Sequence, residues 1–550
     1  MELLDYDVVC IGSGLAGMMA SITAAAESHL RVCIVSKDQI GWGNTRISGG
    51  IVTTNESDEE VLVEDVLRTG EYINQKNLVQ SLINNSRTIN DTLEEWGHIY
   101  LRNPENPSLK ELVKPGGHTI PRTMKSHHRG ISIANSVRSK LLATDVDMIE
   151  EVIACDIIVR DGRVSGVLCY DWVNNKWFGI RAASVIIACG GGGTIYYPHS
   201  DNMRSATGDG YALGVRAGAR LIDMEQIQFI PFGILYPEGM KGLEVGDTSA
   251  AGPYGVLKNK NGQIIVSDLP NKTREFVSRA IALEVQKGNG SPNGGLWLDP
   301  TENRKHKDGE MNWEHWKSIG TLNTIKMAYG SKAAQWMEPF EVSPTQHYCM
   351  GGVYINEYGQ TDILGLYAVG ESAGGFHGAG RMGSMSLFEA LTVGKIVGSN
   401  IIYNRNDNHQ VGIDEFLFNK QRIIDQFNGQ EDSKPIRLKR ELNRIMWESG
   451  GVIRSEEQLL EGLHALNEIE EKSKQMKIPL DIYYNQQLLE AIELQSMILT
   501  GKAVILSALE RKESRGSHYR SDYPEKRKEW KEKNIFVKFA SNNDLIAGDQ

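Results

Sequence analysis

Apolar and polar positions along this chain change period several times, and each change predicts an element. The short apolar run Tyr6-Asp-Val-Val-Cys-Ile11 reads as a buried strand. It ends at Gly12-Ser-Gly14-Leu-Ala-Gly17, which opens an Ala-rich helical stretch. A second run, Arg31-Val-Cys-Ile-Val-Ser36-Lys37, follows, so residues 1–52 read as βαβ with a Gly-rich continuation, Gly43-Asn44-Thr45-Arg46-Ile-Ser48-Gly49-Gly50. Residues 148–191 read as strands with a hairpin turn at Asp161-Gly162, ending in Val185-Ile-Ile-Ala188-Cys189-Gly190. From 231 to 342, loop signals and Pro/Gly predict an inserted domain. A strand-like run, Gly365-Leu-Tyr-Ala-Val-Gly370-Glu371, then leads into His377-Gly-Ala-Gly-Arg381-Met-Gly-Ser-Met-Ser386-Leu387. From about 411 onward, helical periodicity and charge pairing dominate, as in Arg437-Leu-Lys-Arg-Glu-Leu-Asn-Arg-Ile-Met446-Trp447.

Composition narrows the class. With 550 residues, 40% hydrophobic content and 57 glycines, the chain reads as a multidomain α/β enzyme. Its 59 basic and 70 acidic residues leave a net charge of −11, which argues against nucleic acid as a partner. Six cysteines lie without CxxC or cluster spacing, so no iron–sulfur centre is expected in this chain, and the thiols read as free and buried. The first strand begins within a few residues of Met1, and no apolar run reaches the ~18 residues that span a bilayer. A cytoplasmic location is expected, with peripheral membrane attachment through a partner left open.

The glycine pattern carries the first chemistry. Glycines let the backbone turn tightly against a pyrophosphate, while the helix N-terminus adds amide donors and positive potential. Ser36 and Lys37 end the second strand where a simple NAD site carries an acidic residue. His118, His127 and His128 show no metal-ligand spacing and read as surface or capping contacts; no metal is expected. The Lys/Arg/Glu-rich stretch 510–534 has mixed signs, as in a solvated helix and tail or a partner-facing surface.

Several ordered motifs together resemble the succinate dehydrogenase/fumarate reductase flavoprotein family, which includes L-aspartate oxidase. They are the glycine cradle, Thr207-Gly-Asp209-Gly, Arg274-Glu-Phe-Val-Ser-Arg279-Ala, His347-Tyr-Cys-Met-Gly-Gly352, the His377–Leu387 segment, Met446-Trp447-Glu, and Glu513-Ser-Arg515-Gly-Ser-His518-Tyr-Arg520. The resemblance implies an α/β fold: a Rossmann-like FAD-binding domain (1–230 and 343–410), an inserted α+β capping domain (231–342), and a C-terminal helical domain and tail (411–550). It implies FAD held by Gly12, Ser13, Gly14, Leu15, Ala16, Ser36, Lys37, Asn44, Thr45, Gly49, Gly50, Ala188, Gly190, Asp209, Glu371, Arg381, Ser386 and Leu387. Where membrane-bound members carry a histidine bonded to the flavin, this chain has Asn44, so the FAD is expected to be noncovalent.

The resemblance also implies that His347 and Arg381 hold a substrate carboxylate, and that Arg279 exchanges a proton opposite the flavin. Departures matter as much. The family's Gln-Phe-His-Pro-Thr reads here Gln228-Phe229-Ile230-Pro231-Phe232, so a carboxylate clamp is missing; two relay residues are missing around Asp247-Thr248 and Ala251–Gly255. An ionised carboxylate against Ile230 and Phe232 would lose several kcal/mol. The expected pocket is therefore Ile230, Phe232, Asp247, Tyr254 and His377, with Tyr254 or Tyr236 offering a hydroxyl. The expected reaction is hydride exchange between flavin N5 and a carboxylic acid other than fumarate or succinate, with an iron–sulfur or other redox partner subunit. An L-aspartate-oxidase-like amine oxidation, and an electron-transfer subunit without substrate chemistry, stay open.

Overall fold

The computed structural model describes all residues except 27–28, 56–57, 319, 404–410, 432 and 550. The expected boundary at 410 falls in 404–410, outside the described residues. A parallel five-stranded sheet forms the centre, in the order Leu366–Ala368, Ser184–Ile187, Val8–Ile11, Val32–Val35, Asp147–Ile149. Val8–Ile11 and Val32–Val35 are buried at every position, as their unbroken apolar runs require of strands covered on both faces. The helix Leu15–Ala25 packs along Met385–Tyr403, so the early glycine motif and the late Arg381 segment meet at one end of the sheet.

Beside it lies a four-stranded sheet, Glu2–Asp5, Lys176–Arg181, Arg163–Asp171 and Val152–Arg160. Arg160 pairs with Arg163 around Asp161 and Gly162, both at positive φ, which gives the expected hairpin the twist that two-residue turns favour. The strand Glu2–Asp5, ahead of the first run read from the sequence, pairs in parallel with Lys176–Arg181.

A second hydrophobic core gathers residues from Phe232 to Val342 under an antiparallel sheet ordered Ile227–Gly233, Phe340–Cys349, Leu296–Asp299, Val256–Lys258, Ile264–Val266. This is the capping domain. Its two connecting strands, Ile227–Gly233 and Phe340–Cys349, run from the first core into the second: Ile227, Phe229 and Cys349 pack in the one, Phe232, Phe340 and Val342 in the other. Gln228 sits opposite Tyr348, and Ile230 opposite Thr345.

The C-terminal helices are Ile413–Asp425, Pro435–Ser449, Glu456–Lys474 and Gln486–Glu510. The last, at 25 residues, is long and apolar enough to cross a membrane by length and composition, but 72% of its most apolar window is buried inside the fold. In the charged stretch after it, 511–520 departs from the expected solvated helix, whereas 521–533 is largely exposed, as expected. Arg511, Glu513 and Arg520 are fully buried with their charges paired, and His518 is buried as a neutral, hydrogen-bonded ring. Arg511 meets Glu225 at 2.5 Å and Asp223 at 3.3 Å, Arg515 meets Glu513 at 2.6 Å, and Arg520 meets Asp522 at 2.6 Å. Arg454 Nη1 donates to His518 Nδ1 (2.9 Å), so Nε2 carries the proton it donates to the Arg511 carbonyl (3.1 Å). The chain ends in a hairpin, Phe536–Phe539 with Leu545–Gly548, that joins Leu221–Ile222 in a further sheet rather than trailing as a tail.

Candidate functional site: a cavity between the parallel sheet and the cap

A cavity of about 1210 Å³ runs from the first glycine turn, along the ends of the parallel strands, to the underside of the cap. Ligands of open α/β sheets collect at these strand ends. Gly12 turns at φ +108°, and a Cβ there would lie 2.2 Å from the Ala188 carbonyl oxygen. Gly14 faces open space, as do Gly49 and Gly190. The helix Leu15–Ala25 starts at Gly14 with no side-chain cap and no acidic residue in its first turn, so its leading amides are available to an anion.

All eighteen positions expected to hold FAD line this cavity. Ser13 and Ser36 share a hydrogen bond of 2.8 Å. Lys37 is fixed between Asp209 (2.8 Å) and Glu493 (2.7 Å); although burial opposes it, the two carboxylates hold its ammonium above the ordinary range. Asn44 donates to Asn202 (2.7 Å) and accepts from the Met203 amide (2.8 Å). Burial pushes the Glu371 carboxyl up to about 7, against the Cys349 amide that donates to it at 3.0 Å. An elongated cradle with free helix-terminal amides at one end and a capped pocket at the other fits a flavin dinucleotide.

Under the cap the cavity is lined by charged side chains of both signs. Arg381 is 5% exposed and has no carboxylate partner among the described residues. Its Nε donates to Gln228 Oε1 (3.0 Å), and its guanidinium lies 5.0 Å from the centroid of the Tyr348 ring. Burial, with Arg274 nearby, pulls it down to about 10. Tyr348 donates to Glu389 (3.0 Å), which His377 Nε2 also meets at 2.9 Å. His347 Nδ1 binds Asp201 at 2.6 Å. Arg274 reaches Asp247 at 3.0 Å; burial raises that carboxyl, but Arg274 and Ser249 outweigh it and leave it below the usual range.

Several expected positions lie elsewhere. Arg279 is outside the cavity, stacked 4.7 Å over Tyr519; Arg274 at the start of the same helix lines it instead. Phe232 is fully buried in the cap core, because register shifts at Gln228/Phe229 and Ile230/Gly233 break the alternation that would place it beside Ile230. Tyr254 stacks on His306 and donates to Asp308 on the outer face of the cap, and Tyr236 is 60% exposed. His377 stands one layer behind the wall, on Glu389. Ile230, Asp247, His347 and Arg381 do line the cavity. Sequence reading missed Arg274, Asp201, Glu244 and Gln228; only Gln228 and Arg274 lay within motifs that could have marked them. His118, expected at the surface, is buried on the Gly383 carbonyl (2.9 Å), while His128 takes the N-cap position of Arg129–Leu141.

The residues 7–387 match a model described as FAD binding domain, and 439–545 match one described as Fumarate reductase flavoprotein C-term. The chain belongs to the succinate dehydrogenase/fumarate reductase flavoprotein family. It is an FAD-dependent oxidoreductase of that family. Its relatives include one of the subunits of the Fumarate reductase (CoM/CoB) of Methanothermobacter marburgensis, 34% identical with 96% of each chain covered. The L-aspartate oxidase of Acinetobacter baylyi is 29% identical, with 94% of each covered. Among solved structures, Mycobacterium smegmatis Sdh1 superposes with a TM-score of 0.88 at 28% identity, covering 100% of this chain and 94% of its own.

Imidazoles buried or half-buried in the fold, His98, His118 and His199 among them, give this flavoprotein an acid limb of instability. Burial lowers His98 and His118 to about 4 and His199 to about 3. Between these values and about 6.5 each is neutral in the fold and protonated when unfolded, so the contribution is complete above about 6.5 and is lost as pH falls toward these values. His199, stacked 3.9 Å from Trp447, ties the C-terminal helices to the flavin domain. Replacing it, as in His199→Phe, should flatten the fall in melting temperature between pH 6.5 and 4 relative to wild type. Parallel curves for the two proteins would refute this assignment.

Proposed function

We propose that this flavoprotein exchanges a hydride with an unsaturated or saturated carboxylic acid other than fumarate and succinate, as the flavoprotein subunit of an electron-transfer complex. The observation that carries this is the asymmetry of the pocket. Arg381 is a buried cation without a carboxylate among the described residues, whereas Arg274 on the same cavity is already paired with Asp247, and Ile230 stands where a carboxylate clamp is expected. FAD supplies the hydride-level redox chemistry. Arg381 binds the substrate carboxylate, with Tyr348 and Gln228 fixing its guanidinium. His347, its Nδ1 committed to Asp201, turns Nε2 to the acid. Arg274 is the candidate proton donor: a guanidinium needs an adjacent carboxylate to exchange a proton near neutral pH, and Asp247 is that carboxylate.

Asn44 offers no imidazole, so acid precipitation should leave the FAD in the supernatant rather than in the pellet. A separate iron–sulfur or other redox protein supplies electrons, in keeping with relatives named as subunits. Six free cysteines agree with a reducing, cytoplasmic setting, membranes being reached only through a partner. The test is stopped-flow flavin absorbance after anaerobic reduction. Reoxidation by a monocarboxylate enoate but not by fumarate is expected. Fast turnover with fumarate would return the chain to fumarate reduction, and reoxidation by oxygen alone with L-aspartate as reductant would assign it to amine oxidation. No response to any acid would leave a subunit that only relays electrons.

A further inference from the structure

The C-terminal helices reach the cofactor cavity through one buried chain of charges. Lys37 follows Ser36, whose hydroxyl bonds Ser13 at 2.8 Å beside the glycine turn, so its ammonium stands at the dinucleotide end of the cavity. Four acceptors surround it: the Ser205 carbonyl (3.0 Å), Thr207 Oγ1 (2.9 Å), Asp209 Oδ2 (2.8 Å) and Glu493 Oε1 (2.7 Å). An ammonium has three hydrogens, so none is left over for a phosphate. Lys37 therefore serves the cofactor by fixing its surroundings. Three of its acceptors lie in the segment 205–209, where Ser205, Ala206 and Asp209 line the cavity. The fourth, Glu493, comes from the helix Gln486–Glu510, outside the residues 7–387 matched as the FAD binding domain. Glu493 Oε2 in turn accepts from Lys439 of the helix Pro435–Ser449 at 2.6 Å, and the side chains of Asp209, Lys37, Glu493 and Lys439 are only 10–14% exposed.

The same helix backs this wall at two further points. Thr500 stands so close behind Gly208 that a Cβ there would lie 2.2 Å from its Oγ1. Burial would raise the Asp209 carboxyl, but Lys37, Thr207 and Ser496 outweigh it and hold it below its usual range.

We infer that Glu493 is a positioning residue for FAD: reaching in from the C-terminal helices, it sets Lys37 and through it the wall at 205–209, so that flavin affinity and helix docking are coupled. The signs along Asp209, Lys37, Glu493 and Lys439 alternate and balance. Without Glu493, two ammonium groups would share one carboxylate in a site nearly closed to water, and the wall would lose the geometry that shapes the cradle. Coupling is reciprocal, so FAD that tightens the wall also tightens the helix behind it.

The test titrates FAD into the full chain, prepared as apoprotein by expression under riboflavin limitation, with flavin fluorescence as the readout. Glu493→Gln should weaken FAD binding about tenfold or more, the scale of coupling between sites. That variant strands the Lys439 charge, so the double variant Glu493→Gln/Lys439→Met is made beside it. Its apoprotein should melt near wild type, since exchanging a whole buried pair for uncharged groups is nearly neutral, while its FAD affinity stays about tenfold down. General destabilisation does not give that split. Lys472→Met breaks the exposed Lys472–Glu441 pair (2.9 Å) that joins Glu456–Lys474 to Pro435–Ser449, and it should bind FAD within about twofold of wild type. Hydrogen exchange reads the reciprocal effect: FAD should slow exchange in 486–510 of the wild type, and do so far less in the double variant.

Wild-type FAD affinity in the double variant would overturn the inference, as would exchange in 486–510 of the wild type that FAD leaves unchanged. An equal loss of FAD in Lys472→Met would also overturn it, making flavin retention a matter of helix stability alone.

Discussion

Arg274→Gln is expected to lower flavin reoxidation by an acid substrate at least ~10³-fold, while Arg279→Gln stays within a few-fold of wild type. The two residues sit five apart on the helix Arg274–Gln286, about 140° around its axis, and so face different surroundings. Arg274 lines the cavity with Asp247 behind it; Arg279 lies over Tyr519 against the C-terminal segment. Single-turnover rates at saturating acid, with the flavin content of each variant matched, make the comparison. A large loss in Arg279→Gln with Arg274→Gln active would invert the assignment. With substrate binding assigned to Arg381 in the proposed function, the Arg274 variant should lose rate far more than affinity.

Gly12→Ala should yield protein that is flavin-free and either insoluble or grossly destabilised. The added methyl group would sit 2.2 Å from the Ala188 backbone oxygen, on a residue held at φ +108°. Neither the strand Ser184–Ile187 nor the turn can yield, since both lie in the central sheet. A cost above ~4 kcal/mol is expected for a clash of this kind. Gly14→Ala is the control: its φ is −65° and nothing lies within 4 Å of the new carbon. That variant should melt near the wild-type temperature yet retain less FAD, since its methyl group enters the space where the cofactor passes. Absorbance ratios at the flavin and protein bands, with melting temperatures, read both. Full flavin content in Gly12→Ala would contradict the cradle.

What was legible in the sequence follows from the range of the physics involved. The glycine turn, the buried parallel strands and the Asp161-Gly162 hairpin are local, since period, burial and positive φ are written within a few residues. The cavity positions that follow from those turns were correspondingly clear. Phe232 was not, because a bulge in the strand reverses the face it occupies, and a one-residue shift leaves no compositional trace. Tyr254 and His377 sit in motif-like surroundings, but their partners, Asp308 and Glu389, decide where they point. The exposed residues 521–533 match their charge composition, which misled most at 511–520. Lysines and arginines there look solvated by count, yet Arg511 and Arg520 find carboxylates and carbonyls that only the tertiary fold brings near. Asp201 and Glu244 join His347 from separate loops, and no spacing along the chain could have announced that meeting.

The two strands that carry the chain into and out of the cap lie side by side, with Gln228 paired to Tyr348. An inserted module whose entry and exit are adjacent can be exchanged without rethreading its host. The cradle for the cofactor is built outside that insert, while Glu244, Asp247 and Arg274, which line the cavity, are built within it. Lineages sharing one flavin scaffold could thus acquire new reactants by trading or remodelling a single cassette, leaving the redox machinery undisturbed.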